Sequence, residues 1–174
     1  MNDTLTATEE CIIDFGTRAQ NTVIFDLDGT LALIHTRREI ADAGDGKIDW
    51  DTFFDPANIY LDMPNEPVVN MAKLLYEADY NIVIFSGRSA RTEEATREWL
   101  TMAGVKYHDL HMRPDDEADG GQWHFMPDNE LKQRWLNTVV DRKDVFLIFD
   151  DRDQVVKMWR ENGLTVFQVA DGNF

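Results

Sequence analysis

Short apolar runs alternate along this chain with segments in which apolar residues recur every three or four positions. The runs are rich in β-branched and aromatic residues, which is typical of buried strands. They read TVIFD, NIVIFSG, VKYHDLHM, VFLIFDD and LTVFQVA, at residues 22–26, 81–87, 105–112, 145–151 and 164–170. Strands that alternate with helices predict a mostly parallel sheet with helices on both faces. We therefore predict an α/β fold of the Rossmann-like kind.

The helical segments carry their own start and stop signals. Pro67 opens the first helix, because proline is favoured at the first helical turn. Its apolar residues at helical spacing are Val68, Met71, Leu74 and Leu75. The segments RTEEATREWLTMAG and RDQVVKMWRENG should end at Gly104 and Gly163, since glycine commonly ends a helix. Asp128 should cap or enter the helix NELKQRWLNTVV.

One segment, at about residues 34–67, interrupts this alternation and is long for a connection between a strand and a helix. It contains glycines, many acids and the aromatic residues Trp50, Phe53, Phe54 and Tyr60. It is either a small cap insertion over the edge of the sheet where ligands bind or a surface excursion packed by its own aromatic residues. As a cap, it would offer Trp50 and Phe53–Phe54 for stacking on a nucleobase.

Charge and composition exclude several classes of protein. The formal net charge of −16 disfavours a basic face for binding long nucleic acid, but suits recruitment of a divalent cation. Residues 1–20 are polar and acidic, unlike a signal peptide, and no run approaches the roughly 18 apolar residues of a membrane span. A single cysteine, Cys11, excludes an internal disulfide. We predict a flexible leader at 1–20, a domain at 21–174, and a cytoplasmic protein without membrane contact.

Carboxylates follow two of the predicted strands. Asp26 and Asp28 end the first, and Asp150 and Asp151 end the fourth. Parallel strands present their carboxyl ends at one edge of a sheet, so these side chains should converge. Converging carboxylates repel one another unless a cation neutralises them, and Mg²⁺ prefers oxygen ligands. The alternatives are a simple turn at Asp28-Gly29 and a helix cap at Asp150-Asp151.

A hydroxyl group and a positively charged side chain should lie at the same edge of the sheet. Ser86 ends the second strand, and Lys132 lies in the third helix. Together with Mg²⁺ these two groups would hold the oxygens of a phosphoryl group. The alternative for Lys132 is an ordinary exposed helix lysine.

In this order the residues resemble the four motifs of the haloacid dehalogenase (HAD) superfamily of phosphotransferases. The motifs are DLDGT at 26–30, Ser86 in FSGR, Lys132 in NELKQRW, and DDRD at 150–153. The stretches HMRP, DDRDQVVKMWRENGL and FQVADGNF are similar to the 3′-phosphatase domain of phage-type polynucleotide kinase-phosphatases. This similarity spans roughly residues 21–174. The chain has no GxxxxGK[ST] phosphate loop, and its segment between Arg37 and Pro67 looks longer than in that family.

The resemblance implies an HAD-like fold and an aspartyl-phosphate mechanism. Asp26 would be the nucleophile, and Asp28 the general acid and then the general base. The cofactor would be Mg²⁺, bound by Asp26, Asp151 and the main-chain carbonyl of Asp28, with Asp150 in support. The residues expected to bind phosphate or substrate are Thr30, Arg37, Ser86, Gly87, Arg88, Asp128 and Lys132.

Three of these residues carry more specific expectations. Arg37 and Arg88 would clamp a flanking phosphate or sugar, with a solvated arginine as the alternative for Arg37. Asp128 lies one helical turn before Lys132 and would orient that lysine.

The function predicted is a Mg²⁺-dependent phosphomonoesterase that removes a terminal 3′-phosphate from nucleic acid or nucleotides. A phosphatase for 5′-mononucleotides or other small molecules is the alternative with the same chemistry. A non-catalytic binding protein is a third hypothesis, which the complete set of motif residues disfavours. A separate kinase or ligase is a candidate partner, and the oligomeric state is left open.

Overall fold

Nine strands are formed by the part of the chain that this computed structural model describes, residues 20–115, 123 and 125–172. They are β1 (Thr22–Asp26), β2 (Ala32–Leu33), β3 (Asp42–Gly44), β4 (Lys47–Ile48), β5 (Met63–Pro64), β6 (Asn81–Ser89), β7 (Asp109–Arg113), β8 (Val145–Asp150) and β9 (Val166–Gln168). Five of them form a sheet in the order β7–β6–β1–β8–β9, and every neighbouring pair in it is parallel. This confirms the predicted α/β fold.

Helices of the described residues cover both faces of the sheet. They are α1 (His35–Ile40), α2 (Trp50–Phe53), α3 (Pro56–Ile59), α4 (Glu66–Glu77), α5 (Glu93–Met102), α6 (Asp128–Thr138) and α7 (Asp153–Glu161). Alternate residues of a strand point to opposite faces. Accordingly, Val23 and Phe25 of β1 join the core beneath α4 and α5, whereas Ile24 joins the core beneath α6 and α7. The central strand is therefore buried on both faces and fixes the position of Asp26 at its end.

Two details of the predicted elements differ from the structure. Strand β7 begins at Asp109, four residues after the predicted start of the third strand. Helix α4 buries Val68, Val69 and Ala72, whereas Met71 and Leu74 are 40% and 60% exposed. The helix carries two apolar stripes, and the one with β-branched and small residues packs on the sheet. The predicted glycine stops are correct, with φ of 70° at Gly104 and 75° at Gly163.

The segment that breaks the strand–helix alternation leaves and rejoins the fold at one point. Strands β2 and β5 pair antiparallel, with Leu33 opposite Met63, and the amide of Asn65 donates to the carbonyl of Leu31 at 2.8 Å. Between these strands lie α1, the β3–β4 hairpin, α2 and α3. We call residues 34–62, between the two strands, the insertion.

The predicted leader, residues 1–20, lies outside the described residues except for Gln20. None of the helices in the described ranges has the length and apolar character needed to cross a bilayer.

Candidate active site

Three carboxylates meet at the carboxyl edge of the sheet. Asp26 ends β1, Asp150 ends β8, and Asp151 follows it. Each offers an oxygen within 4.8 Å of the others, and all three residues are buried. The structure therefore brings together the acids that the sequence placed at two strand ends.

A single lysine lies against this acidic cluster. The ammonium of Lys132 donates to Asp26 Oδ1 at 2.5 Å and to Asp150 Oδ2 at 2.8 Å. Burial lowers the pKa of Lys132, but the charges of Asp150 and Asp26 outweigh that effect and raise it above its ordinary value. Lys132 is thus a buried, charged member of the site, and not the exposed helix lysine of the alternative interpretation.

The three carboxylates outnumber the one ammonium that donates to them. Asp26 Oδ2 is buried and has no hydrogen-bond partner. Burial raises the pKa of Asp26 well above its usual range, although Lys132 opposes the shift. Burial together with the charge of Asp150 raises the pKa of Asp151 to about 6. An orphaned carboxylate oxygen within a cluster of three acids fits a divalent cation, for which Asp26, Asp150 and Asp151 are the available side-chain ligands.

The side chain of Asp28 lies outside this cluster and faces two arginines. Asp28 Oδ1 accepts from Arg37 Nη2 at 2.6 Å, and from Arg88 Nε and Nη2 at 2.8 and 2.5 Å. Burial raises the pKa of Asp28, but the charges of Arg37 and Arg88 outweigh it and lower the pKa to about 2. Both guanidinium groups are fully buried, so Arg37 is not the solvated arginine of the alternative interpretation. Their predicted role as a substrate clamp stays a prediction.

Asp62 completes this group, and the sequence reasoning missed it. It accepts from Arg37 Nε and Nη2 at 3.0 and 2.9 Å, and from Arg88 Nη2 at 2.7 Å. Its backbone carbonyl accepts from Trp99 Nε1 at 2.9 Å. Asp62 comes from the insertion and belongs to no motif. The available signal was an acid between Leu61 and Met63, since an acid in an apolar stretch requires a cationic partner once buried. We call Asp28, Asp62, Arg37 and Arg88 the buried ionic quartet.

Asp128 accepts from arginines and not from the lysine that it was expected to orient. It accepts from Arg113 Nη2 at 2.5 Å and from Arg152 Nη1. Its charge nevertheless adds to the high pKa of Lys132, so it acts on that lysine through space. The sequence reasoning assigned no role to Arg113 or Arg152, although both lie in the stretches HMRP and DDRD. A Cβ added at Gly87 would approach Asp128 Oδ1 to 2.8 Å, so glycine allows this close contact.

Three further motif residues contact the acidic cluster or the residues beside it. Thr30 is buried and its hydroxyl donates to Asp151 Oδ1 at 3.3 Å. Ser86 is also buried, and its hydroxyl accepts from the amide of Arg88 at 3.2 Å. Gly29 has φ of 92°, and a Cβ there would lie 2.1 Å from Asp151 Oδ2. Only glycine therefore fits at position 29 of the first motif, next to the carboxylate of Asp151.

A cavity of about 410 Å³ opens above these groups. Its floor contains the carboxylates of the cluster and Lys132. The insertion supplies apolar lining residues, and Phe125 and Met126 also line the cavity. The apolar and aromatic residues of the insertion in this lining are Ile34, Ile48, Trp50, Phe53 and Phe54. The insertion therefore borders the reactive edge of the sheet, as the cap interpretation requires.

Comparison with known proteins agrees with this geometry. A family model described as the polynucleotide kinase PNKP phosphatase domain matches residues 20–174. A candidate bifunctional polynucleotide kinase/RNA ligase of Autographa californica nuclear polyhedrosis virus is 32% identical over 166 residues, which is 92% of this chain and 21% of the viral protein. A chain of the solved Pnkp1/Rnl/Hen1 RNA repair complex superposes with a TM-score of 0.71 at 30% identity, covering 98% of this chain and 49% of that one.

More distant structures share the fold alone. A protein from Clostridium difficile described as a candidate phosphatase has a TM-score of 0.59 at 15% identity, covering 86% of this chain and 85% of its own.

The fold and the four motifs define a phosphoric monoester hydrolase of the HAD superfamily. Within that superfamily, the chain belongs to the family of polynucleotide kinase PNKP phosphatase domains. It spans about a fifth of the viral relative's length and about half of the matched chain in the RNA repair complex.

Proposed function

We propose that this protein removes a terminal 3′-phosphate from nucleic acid or nucleotides, with Mg²⁺ as its cofactor and Asp26 as its nucleophile. The observation that carries the proposal is Asp26 Oδ2, a buried carboxylate oxygen without a hydrogen-bond partner beside two further acids. A polynucleotide substrate is supported by the relatives, one described as a polynucleotide kinase/RNA ligase and one found in an RNA repair complex.

In the first step, an oxygen of Asp26 attacks phosphorus. The bond between phosphorus and the substrate oxygen breaks, and the leaving alkoxide takes a proton from Asp28. In the second step, a water oxygen attacks the aspartyl-phosphate and gives a proton to Asp28. Inorganic phosphate leaves and Asp26 is regenerated. Bound by Asp26, Asp150 and Asp151, Mg²⁺ would supply Lewis-acid neutralisation of the charge on the phosphoryl oxygens.

Lys132 supplies the positive charge that the protein itself brings to the site. Its ammonium already bridges Asp26 and Asp150, and it would turn one donor toward a phosphoryl oxygen when substrate is bound. Ser86 would donate its hydroxyl proton to a second oxygen while still accepting from the Arg88 amide. Both roles are positional, because they place phosphorus in front of Asp26.

The two arginines tune Asp28 for its two tasks. With a pKa of about 2, Asp28 is a carboxylate in the free enzyme at neutral pH, which suits the base of the second step. Its role as the acid of the first step requires a raised pKa. A bound phosphate dianion would provide this, because it adds negative charge and competes for Arg37 and Arg88. Substrates with poor leaving groups should therefore depend most strongly on Asp28.

A 5′-mononucleotide phosphatase is the second candidate. It is favoured by a cavity of about 410 Å³, since sites for small ligands start at roughly 300 Å³. The net charge of −16 also favours small anions over long polyanions. On either reading a separate kinase or ligase is a candidate partner, and a cytoplasmic location stays a prediction.

A phosphate-release panel tests the proposal. The purified protein is assayed with a 3′-phosphorylated oligonucleotide, a nucleoside 3′-monophosphate, a 5′-monophosphate and a sugar phosphate, each with Mg²⁺ or excess EDTA. We expect the highest kcat/KM on a 3′-phosphate and no phosphate release from any substrate in excess EDTA. The control is Asp26→Asn, which keeps side-chain volume and should abolish turnover. A preference for the 5′-monophosphate would support the second candidate, and full activity in EDTA would refute the metal assignment.

A further inference from the structure

One tryptophan in the described part of the chain differs from the others in its exposure. Trp99, Trp135 and Trp159 are at most 6% exposed and belong to the core, and Trp123 is half-buried against it, whereas Trp50 is 59% exposed. Trp50 opens helix α2 of the insertion and lines the cavity above Asp26. A large aromatic face left to solvent beside a reactive centre is typical of a binding surface.

The indole of Trp50 is held in place by its neighbours. It stacks on Phe54 with the ring centroids 5.8 Å apart and the planes 18° apart, and it meets the edge of Phe53 at 5.5 Å. Phe53 is itself fixed beneath the guanidinium of Arg37, which lies 4.2 Å from its ring centroid. The Trp50 side chain is therefore supported by the half-buried Phe54 and the buried Phe53 and need not be ordered by a ligand.

The main chain of α2 is tied to the loop that follows β6. Asp49 caps the helix, and its carboxylate accepts from the amides of Asp51 and Thr52. Arg91 Nη2 donates to the carbonyl of Trp50, and Nη1 to Asp51, both at 3.2 Å. Arg91 follows the Ser86–Arg88 stretch by three residues. Helix α2, which carries Trp50, is thus connected through Arg91 to the end of β6, the strand that carries the predicted phosphate ligand Ser86.

From this placement we infer that Trp50 forms a nucleobase subsite, on which the terminal base of the substrate stacks while its phosphate reaches Asp26. The inference rests on the proposed function, since it assumes a nucleotide end as substrate. Stacking on an aromatic face is tolerant of base identity, because every base has a π-face. Phe125 and Met126 also line this cavity and would add apolar contacts to the bound nucleotide. The subsite therefore selects a terminal nucleotide whose base can unstack from the neighbouring base.

The test compares two 3′-phosphorylated dinucleotides that differ only in the terminal residue, which is adenosine in one and an abasic tetrahydrofuran unit in the other. The quantity measured is the ratio of their kcat/KM values. For the wild type we expect a ratio of about 5 to 150, the effect of one stacked base. In Trp50→Ala the ratio should fall toward one, and in Trp50→Phe most of it should remain. The matched control is Phe146→Ala, since Phe146 is an exposed aromatic residue at the start of β8 that does not line the cavity.

The outcomes separate this inference from the proposed function. Ready turnover of both dinucleotides with a wild-type ratio near one overturns the subsite and leaves the 3′-phosphatase function standing. A ratio unchanged in a folded Trp50→Ala protein also overturns it, and the wild-type ratio alone still decides the matter should the alanine variant misfold. No turnover of either 3′-phosphate, with turnover of a 5′-monophosphate, overturns the proposed function and the subsite with it. The same ratio measured on the corresponding 3′-mononucleotides shows whether a longer strand contributes.

Discussion

The buried ionic quartet is electrically neutral, and we expect unbalancing it to be costly. Arg88→Gln removes the contacts of Arg88 Nε and Nη2 with Asp28 at 2.8 and 2.5 Å, and of Nη2 with Asp62 at 2.7 Å. Two carboxylates then share the single cation of Arg37. Breaking a buried pair by removing one partner costs about 3–5 kcal/mol, because a charge is left without compensation. That loss approaches the whole stability of a marginal domain.

A second substitution in the same group should restore part of this stability. Asp62→Asn alone leaves an excess positive charge and should also destabilise the protein. The double variant Arg88→Gln/Asp62→Asn is neutral again and retains the pair of Asp28 and Arg37. Its destabilisation should be smaller than the sum of the single values by roughly 1–3 kcal/mol, the range found for directly coupled residues.

Urea unfolding followed by tryptophan fluorescence measures all three variants, in EDTA so that metal binding does not contribute. The matched control is Arg97→Gln, which breaks the exposed pair of Arg97 and Glu93 and should cost below about 1 kcal/mol. Additive effects of Arg88→Gln and Asp62→Asn, within about 0.5 kcal/mol, would refute the charge-balance reasoning.

Three further predictions concern the reactive centre. Asp28→Asn should lower kcat by about 10²–10⁴-fold on alcohol leaving groups and much less on p-nitrophenyl phosphate; equal losses on both substrates would exclude a role in protonation. Because the pKa of Asp151 is raised to about 6 in the folded protein, above an ordinary value of 3.8, stability in EDTA should fall as pH rises from about 4 to 6, by up to about 3 kcal/mol. Mg²⁺ should therefore raise Tm more at pH 7 than at pH 5, and Asp151→Asn should reduce the difference, with the raised pKa of Asp26 accounting for the remainder. Gly29→Ala should displace Asp151 and abolish turnover in Mg²⁺, whereas Gly163→Ala, also at positive φ but with open space around it, should lose only stability.

The sequence was sufficient to predict the elements whose signals are local. Strand β1 is read from TVIFD and helix α7 from an apolar stripe that ends at Gly163, because buried strands and amphipathic helices have distinct periods. The meeting of Asp26 with Asp150 and Asp151 followed from one topological rule for parallel sheets. Each of these inferences used a pattern within a dozen residues and one general constraint.

The contacts that were missed are those without a local pattern. Asp62 contacts Arg37 and Arg88, which are 25 and 26 residues away along the chain. No local sequence pattern links these residues. Arg113 and Arg152 meet Asp128 from two different elements. Burial of a charge is decided by tertiary packing, so its partners emerge only when the elements are assembled. Met71 and Leu74 of α4 were wrongly assigned to the buried face for a related reason, since Met71 and Val69 are both apolar and only packing distinguishes them.

The two ends of the insertion lie next to each other, and this has a consequence for how such an enzyme changes over evolutionary time. Residues on either side of the segment, Leu31 and Asn65, are joined by a hydrogen bond, so a short turn would bridge them if the segment were exchanged or deleted. Such an exchange would remove Arg37 and Asp62 together, one positive and one negative charge. Asp28 and Arg88 would stay behind as a neutral pair. An insertion with a different specificity can therefore replace this one without leaving an uncompensated buried charge in the part of the site that the sheet carries.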